Sequence, residues 1–241
     1  MFMQITRYLI CTLLIFIAKP AVVHASEGDY VVVLHGLFKT NRSMEKVEEI
    51  LIEHNYKVLN LDYESRKAPI ELIVELKLEP EITAFYQDTS KQIHFVTHSL
   101  GGIIVREYLL RNPEINTGRI VMLSPPNQGS ELVNFFDIIP GVEKLLGPVY
   151  MQLSSDSASY VNNISELSQE IGIITGNRTL NFLHSIIIPG PDNGKVAVER
   201  AKLDEMSDFL VVEHSHVHIM DQKDVLDQIT FFLDEGHFIK D

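Results

Sequence analysis

Ser99 stands where a hydroxyl can become a nucleophile. It follows the short apolar run of Ile93, Phe95 and Val96, and Leu100, Ile103, Ile104, Tyr108 and Leu109 then recur at helical spacing. A serine at such a strand-to-helix junction sits on a strained turn with its hydroxyl exposed. The N–H of the next residue, Leu100, then points to where an oxyanion would form. A hydroxyl is a weak nucleophile until an imidazole takes its proton, and that imidazole needs an acid to orient it. Downstream of Ser99 the histidines are His184, His214, His216, His218 and His237. A serine, a histidine and a carboxylate so combined would transfer an acyl group through a covalent serine ester.

The elements that must hold these groups alternate along the chain. Tyr30 to Leu34 is an apolar run without polar alternation, as expected of a strand covered on both faces. Met44, Val47, Ile50 and Leu51 follow at helical spacing, Tyr56 to Leu61 alternates as a second strand, and Ile70 to Phe85 reads as a helical region interrupted at Pro80. Arg119 to Leu123 and Ile171 to Thr175 are further strands. Ser185 to Ile188 and Phe209 to Val212 are candidates for the last ones, and Val225, Leu226, Ile229, Phe232 and Leu233 mark a closing helix. This alternation predicts an α/β fold with a mostly parallel central sheet and helices on both faces. Ligands in such sheets lie beyond the carboxyl ends of the strands, which is where Ser99 falls.

Taken together, these features resemble the α/β-hydrolase superfamily, particularly its lipase- and esterase-like serine hydrolases. Val96-Thr97-His98-Ser99-Leu100-Gly101-Gly102 is similar to the nucleophile elbow, with Thr97 in place of the pattern's first glycine, a substitution that needs more room beneath the turn. Val33-Leu34-His35-Gly36-Leu37 resembles the family's strand-His-Gly signature. The residue after that glycine typically gives the second oxyanion donor, so the resemblance implies the amides of Leu37 and Leu100. It also implies the chain order serine, acid, histidine. Ser215-His216-Val217 with Ile219-Met220 best matches the family's histidine segment and points to His216, with His218 and His214 as alternatives. Ile186-Ile187-Ile188-Pro189-Gly190-Pro191-Asp192-Asn193-Gly194-Lys195-Val196 reads as a strand and a turn similar to the family's Asp-Gly-x-Val turn. Asn193 occupies the place directly before the glycine and the carboxylate is one residue earlier, at Asp192; Asp204, Asp208 and Glu199 are the alternatives. The resemblance runs from about Tyr30 to Phe232 and is dense only at these segments and at Pro125-Pro126-Asn127-Gln128-Gly129-Ser130.

Other residues have plainer readings. His98 and His35 are expected to hydrogen-bond beside the elbow and within the His-Gly loop. His214, His216 and His218 alternate, but no carboxylate or cysteine at ligand spacing accompanies them, so no metal site is expected. The apolar residues of 125–170, among them Leu132, Val133, Phe135, Phe136, Ile138 and Ile139, form either a cap lining an acyl groove or an ordinary packed insertion. They are also compatible with transient contact at a membrane or lipid interface.

Composition sets outer limits. A chain of 241 residues, 45% of them hydrophobic, is long enough for one large domain, expected over 26–241. The net charge of −13 and the lack of a basic cluster speak against a nucleic-acid partner. Arg7, the apolar stretch from Tyr8 to Ala18, and Val23-His24-Ala25 read as a secretory signal peptide over 1–25, with a retained N-terminal anchor as runner-up. Its removal takes away Cys11, the only cysteine, and with it thiol chemistry. The expectation is therefore an exported protein, periplasmic or secreted, that cleaves small-molecule or lipid carboxylic esters without a cofactor. A non-catalytic binding protein on the same scaffold, or an acyltransferase or amidase with the same triad, are the competing classes.

Overall fold

Unbroken apolar runs make strands that can be buried on both faces, and the sheet is built from them. In β1 (Tyr30–Leu34) every residue is buried. Alternate side chains enter different cores: Tyr30, Val32 and Leu34 pack on one face of the sheet, Val31 and Val33 on the other. The computed structural model describes residues 28–180 and 182–240; the expected leader lies outside the described residues. Among those residues the strands are β1, β2 (Lys57–Leu61), β3 (Ile93–His98), β4 (Thr117–Leu123), β5 (Ile171–Gly176) and β6 (Asp208–Val212). They form one wholly parallel sheet in the order β2-β1-β3-β4-β5-β6.

Helices cover both faces. The principal ones are α1 (Glu45–Glu53), α2 (Ile70–Ile73), α3 (Glu79–Phe85), α4 (Leu100–Arg111), α5 (Glu131–Asp137), α6 (Val142–Leu146), α7 (Pro148–Gln152), α8 (Phe182–Ile187) and α9 (Lys223–Glu235). Leu100 to Arg106 are all buried, which makes α4 the central helix behind the elbow. On the opposite face Val225, Ile229, Phe232 and Leu233 of α9 join Val47 and Leu51 of α1.

Two sequence expectations change in detail. Between Ile70 and Phe85 the chain stays helical: a π-helical stretch (Val74–Leu78) joins α2 to α3, and Pro80 sits in the first turn of α3, where a missing N–H is tolerated. The segment Ser185 to Ile188 is not a strand. It belongs to α8 and the residue after it, because β5 pairs directly with β6 and leaves no place between them. The isoleucine run suggested a strand, but only Ile188 is buried, in a small cluster with Leu132 and Ala197.

The chain leaves β1 toward β2 on one side and resumes at β3 on the other, so the order reverses between β1 and β3. Leu34 lies level with Thr97, which brings the loops after these two strands together at the switch point.

Candidate active site

Ser99 caps α4 with φ 53° and ψ −119°, a backbone conformation that side chains rarely adopt. It is held there from both sides: its N–H donates to Leu123 O at 2.8 Å, and its carbonyl accepts from Gly102 N at 2.9 Å. Thr97, in place of the glycine usual in such elbows, is fully buried with Oγ1 3.5 Å from Val121 O. Gly102 lies beside it: a Cβ there would approach Pro125 Cβ to 3.0 Å but would stand at an ordinary contact distance of 3.5 Å from Thr97 Oγ1.

The loop after β1 lies directly over the serine because Gly36 has no side chain. A Cβ there would approach His98 Nδ1 to 2.9 Å and Ser99 Cβ to 3.1 Å. This close packing brings Leu37 to the serine, and Leu37 and Ser99 line one cavity. Phe38 N–H donates to Ser65 Oγ at 3.1 Å and Lys39 N–H to Gly36 O at 3.2 Å, so the loop is tied down around Leu37. Leu100 is the first residue of α4, where an amide has no partner within the helix.

His35 and His98 are structural. His35 Nδ1 donates to Gly36 O at 2.9 Å, its Nε2 accepts from Tyr63 N at 3.3 Å, and its ring stacks on Tyr63 with centroids 4.1 Å apart. His98 Nε2 donates to His216 O at 2.9 Å and the two rings lie 4.8 Å apart, so the histidine beside the elbow supports the candidate base. Burial pushes His98 down to about 4, which leaves it neutral near pH 7.

His216 is 7% exposed and shares the cavity with Ser99. Burial is the main cause that holds its pKa well below 6.5, and the neighbouring His98, Lys195 and Lys39, which disfavour a second positive charge, lower it further. It is therefore neutral near pH 7, as a proton acceptor must be. Its N–H donates to Asn193 O at 3.0 Å, while its buried Nδ1 has no hydrogen-bond partner among the described residues. His214 is engaged by Asp224, with Nε2 2.8 Å from Oδ2, and His218 is exposed. Among the described residues no group of three His, Cys, Asp or Glu side chains is placed to hold a metal ion.

Asp192 lies on the same turn as Asn193, and its Oδ1 is used within the turn. It accepts from Ser185 Oγ at 3.0 Å and from Gly194 N at 2.7 Å. Asn193 is also fully engaged: Oδ1 accepts from Lys195 N at 3.1 Å and Val196 N at 2.9 Å. The structure thus brings Ser99, His216 and the Leu37 loop around one cavity. It joins Asp192 to them through the backbone of its turn, with no hydrogen bond to the imidazole. Asp208 is taken by Lys240 and Phe238 N, at the far end of β6 from the site.

The cavity holds about 340 Å³. Leu132, Val133 and Phe136 of α5, with Tyr150 and Leu153 at α7, form an apolar wall, so the insertion roofs the serine. It is stitched to the Asp192 turn and to the segment after it: Ser130 Oγ donates to Lys195 O at 2.8 Å, and Asn127 Nδ2 to Ala201 O at 2.9 Å. Lys39 and Lys195 also line this cavity, and nothing in the sequence singled them out, since isolated lysines have no motif.

No protein-family model matches the sequence, and comparison with curated protein sequences finds no match. Solved structures do share the fold. Bacillus licheniformis lipase BlEst2 in its mature form aligns over 90% of this chain and 96% of its own, with TM-score 0.70 and 16% identity. Phospholipase PlaB from Legionella pneumophila aligns over 87% of this chain and 60% of its own, with TM-score 0.65 and 16% identity. A monoacylglycerol lipase from Paleococcus ferrophilus aligns over 87% and 96%, with TM-score 0.57 and 15% identity. The fold is that of the α/β-hydrolases.

Proposed function

We propose that this protein is a serine hydrolase of carboxylic esters, lipid or other acyl esters before others. The observation that carries the reading is Ser99 in its strained turn, packed under the Gly36-Leu37 loop and facing the same cavity as a buried neutral imidazole. Ser99 Oγ attacks the ester carbonyl as His216 takes its proton. The Leu37 and Leu100 amides stabilise the oxyanion, and the alcohol leaves with the proton from His216. Water, activated by the same imidazole, then releases the acid and restores the serine. The apolar wall from α5 and α7 receives the acyl chain.

Asp192 acts on the base as a positioning residue. Its carboxylate pins Ser185 and the Gly194 amide, which fixes the turn whose Asn193 carbonyl holds the His216 amide. No metal or cofactor enters this chemistry. Titrating p-nitrophenyl esters of increasing chain length against wild type and Ser99→Ala tests the reading: the wild type turns them over and the variant does not. The unpartnered His216 Nδ1 favours one competing reading, a binding protein on a hydrolase scaffold, and wild type without turnover on every ester would establish that one instead.

The N-terminal segment supports export to the periplasm or medium, with cleavage after Ala25. Among the described residues no helix is long and apolar enough to cross a membrane. The N-terminal sequence of the protein recovered outside the cytoplasm tests this.

A further inference from the structure

Beside the acyl cavity lies a second, larger cleft of about 670 Å³. Phe38 and Lys39 line both, so the two spaces meet at the loop that carries Leu37. Their chemistry is opposite. The acyl cavity is walled by leucine, valine and aromatic side chains, whereas the cleft is lined by Lys39, Arg66, Lys67 and Lys144 against two carboxylates, Asp62 and Glu64.

In a chain of net charge −13 that concentration is unexpected. Lys77, Arg111, Arg119, Arg178, Arg200, Lys202, Lys223 and Lys240 each meet a carboxylate. Within the cleft Glu64 is taken by Lys67, and Asp62 accepts from Asn41 N at 3.1 Å and stands 3.4 Å from His35 Nε2. Among the described residues that leaves Lys39, Arg66 and Lys144 without a carboxylate partner. Arg66 is held in place: Nη1 donates to Leu145 O at 3.3 Å, and its guanidinium lies over the Phe38 ring at 5.3 Å. The rest of its donor fork remains free for a bidentate oxyanion. The cleft is also built rather than incidental, since the insertion is pressed onto this segment so closely that a Cβ at Gly147 would meet Arg66 O at 2.0 Å.

We infer that this cleft is the subsite for an anionic, phosphate-bearing head group on the alcohol side of the ester, with Lys39, Arg66 and Lys144 as its ligands. The substrate class is then an acyl ester of a phosphorylated polyol: the acyl chain enters the apolar cavity, the carbonyl lies at Ser99, and the phosphate sits among the cations. This inference rests on the ester-hydrolase reading for its chemistry but not for its binding.

The test compares hexanoyl-glycerol with hexanoyl-glycerol 3-phosphate, both as monomers, in wild type and in the double variant Arg66→Gln/Lys144→Gln. Glycerol 3-phosphate binding to the Ser99→Ala protein is measured alongside. The subsite predicts a kcat/KM roughly tenfold higher for the phosphorylated ester, a preference that fades in about 0.5 M salt as surface charges are screened. The double variant loses the preference but keeps its rate on the neutral ester, and glycerol 3-phosphate binds Ser99→Ala protein only while Arg66 and Lys144 are present. Equal rates on both esters with no glycerol 3-phosphate binding would overturn the subsite and leave ester hydrolysis standing. Binding that depends on Arg66 and Lys144, with neither ester cleaved, would keep the subsite and overturn the hydrolase reading.

Discussion

The elbow at Ser99 and the turn at Asp192, whose Lys195 and Val196 line the same cavity as the serine, are built in opposite ways. The elbow stores strain: a serine at positive φ, a glycine-free start at Thr97, and a loop pressed onto it that tolerates no Cβ at Gly36. Ser99 itself lines the cavity. The Asp192 turn spends its polar groups on itself, since the carboxylate and the Asn193 amide both cap backbone N–H groups of the turn. His216 is tethered by its backbone to the turn, lines the cavity and packs its ring beside His98, with Nδ1 unpaired among the described residues. On the proposed reading the strain sits at the nucleophile. The orienting side need only be stiff.

Substitutions can break that contrast, and the largest effects should come from the strained side. Ser99→Ala is expected to cut kcat for an activated ester by roughly 10⁴-fold or more, and His216→Ala by a similar factor, since the two act as a unit. Gly36→Ala should cost about 10²-fold in kcat with little change in KM, because the added Cβ displaces the loop that bears the Leu37 donor. Asp192→Asn is the sharpest comparison. A turn-positioning role predicts a loss on the order of 10- to 10²-fold, shared by Ser185→Ala in milder form, whereas a loss near 10⁴-fold in Asp192→Asn alone would mean that the carboxylate contacts Nδ1 in the working enzyme.

The smallest effect is in pH dependence. His216 must be neutral to accept the serine proton, and its pKa is depressed by burial, then by its neighbours His98, Lys195 and Lys39. Activity is therefore present above that depressed value and lost as pH falls through it, so the acid limb of kcat/KM should lie below pH 6.5. Lys195→Gln removes one positive charge and should move the limb upward. Asn193→Asp, which adds a carboxylate beside the base, should move it further in the same direction.

The sequence made the strained half of the site plain and the stiff half obscure, for a physical reason. Strand, elbow and helix are local: the apolar run to Val96, the glycines after Ser99 and the helical spacing beyond are all contiguous in the chain, as are Leu34-His35-Gly36. The parallel sheet followed from the apolar runs that became its central strands β1, β3, β4 and β5, while β2 and β6 at its edges are only partly buried. The segment before Asp192 misled because Ile186-Ile187-Ile188 has the residue types of a strand, while its fate depended on β5 and β6 pairing with each other. Which groups the Asp192 carboxylate would touch was equally non-local, set by Ser185 on α8 and by how the insertion is stitched to the turn. The basic cleft drew its cations from three separate segments, so no window of the sequence contained it.

The central claim is that Ser99 is a nucleophile activated by a neutral His216, and active-site labelling tests it most directly. Wild type, Ser99→Ala and His216→Ala would each be treated with a fluorophosphonate and read by intact mass and peptide mapping. The account predicts one adduct per wild-type chain, mapped to Ser99, none in Ser99→Ala, and labelling in His216→Ala slowed by orders of magnitude. Wild type that takes up no label, or Ser99→Ala that labels as well as wild type, would contradict it.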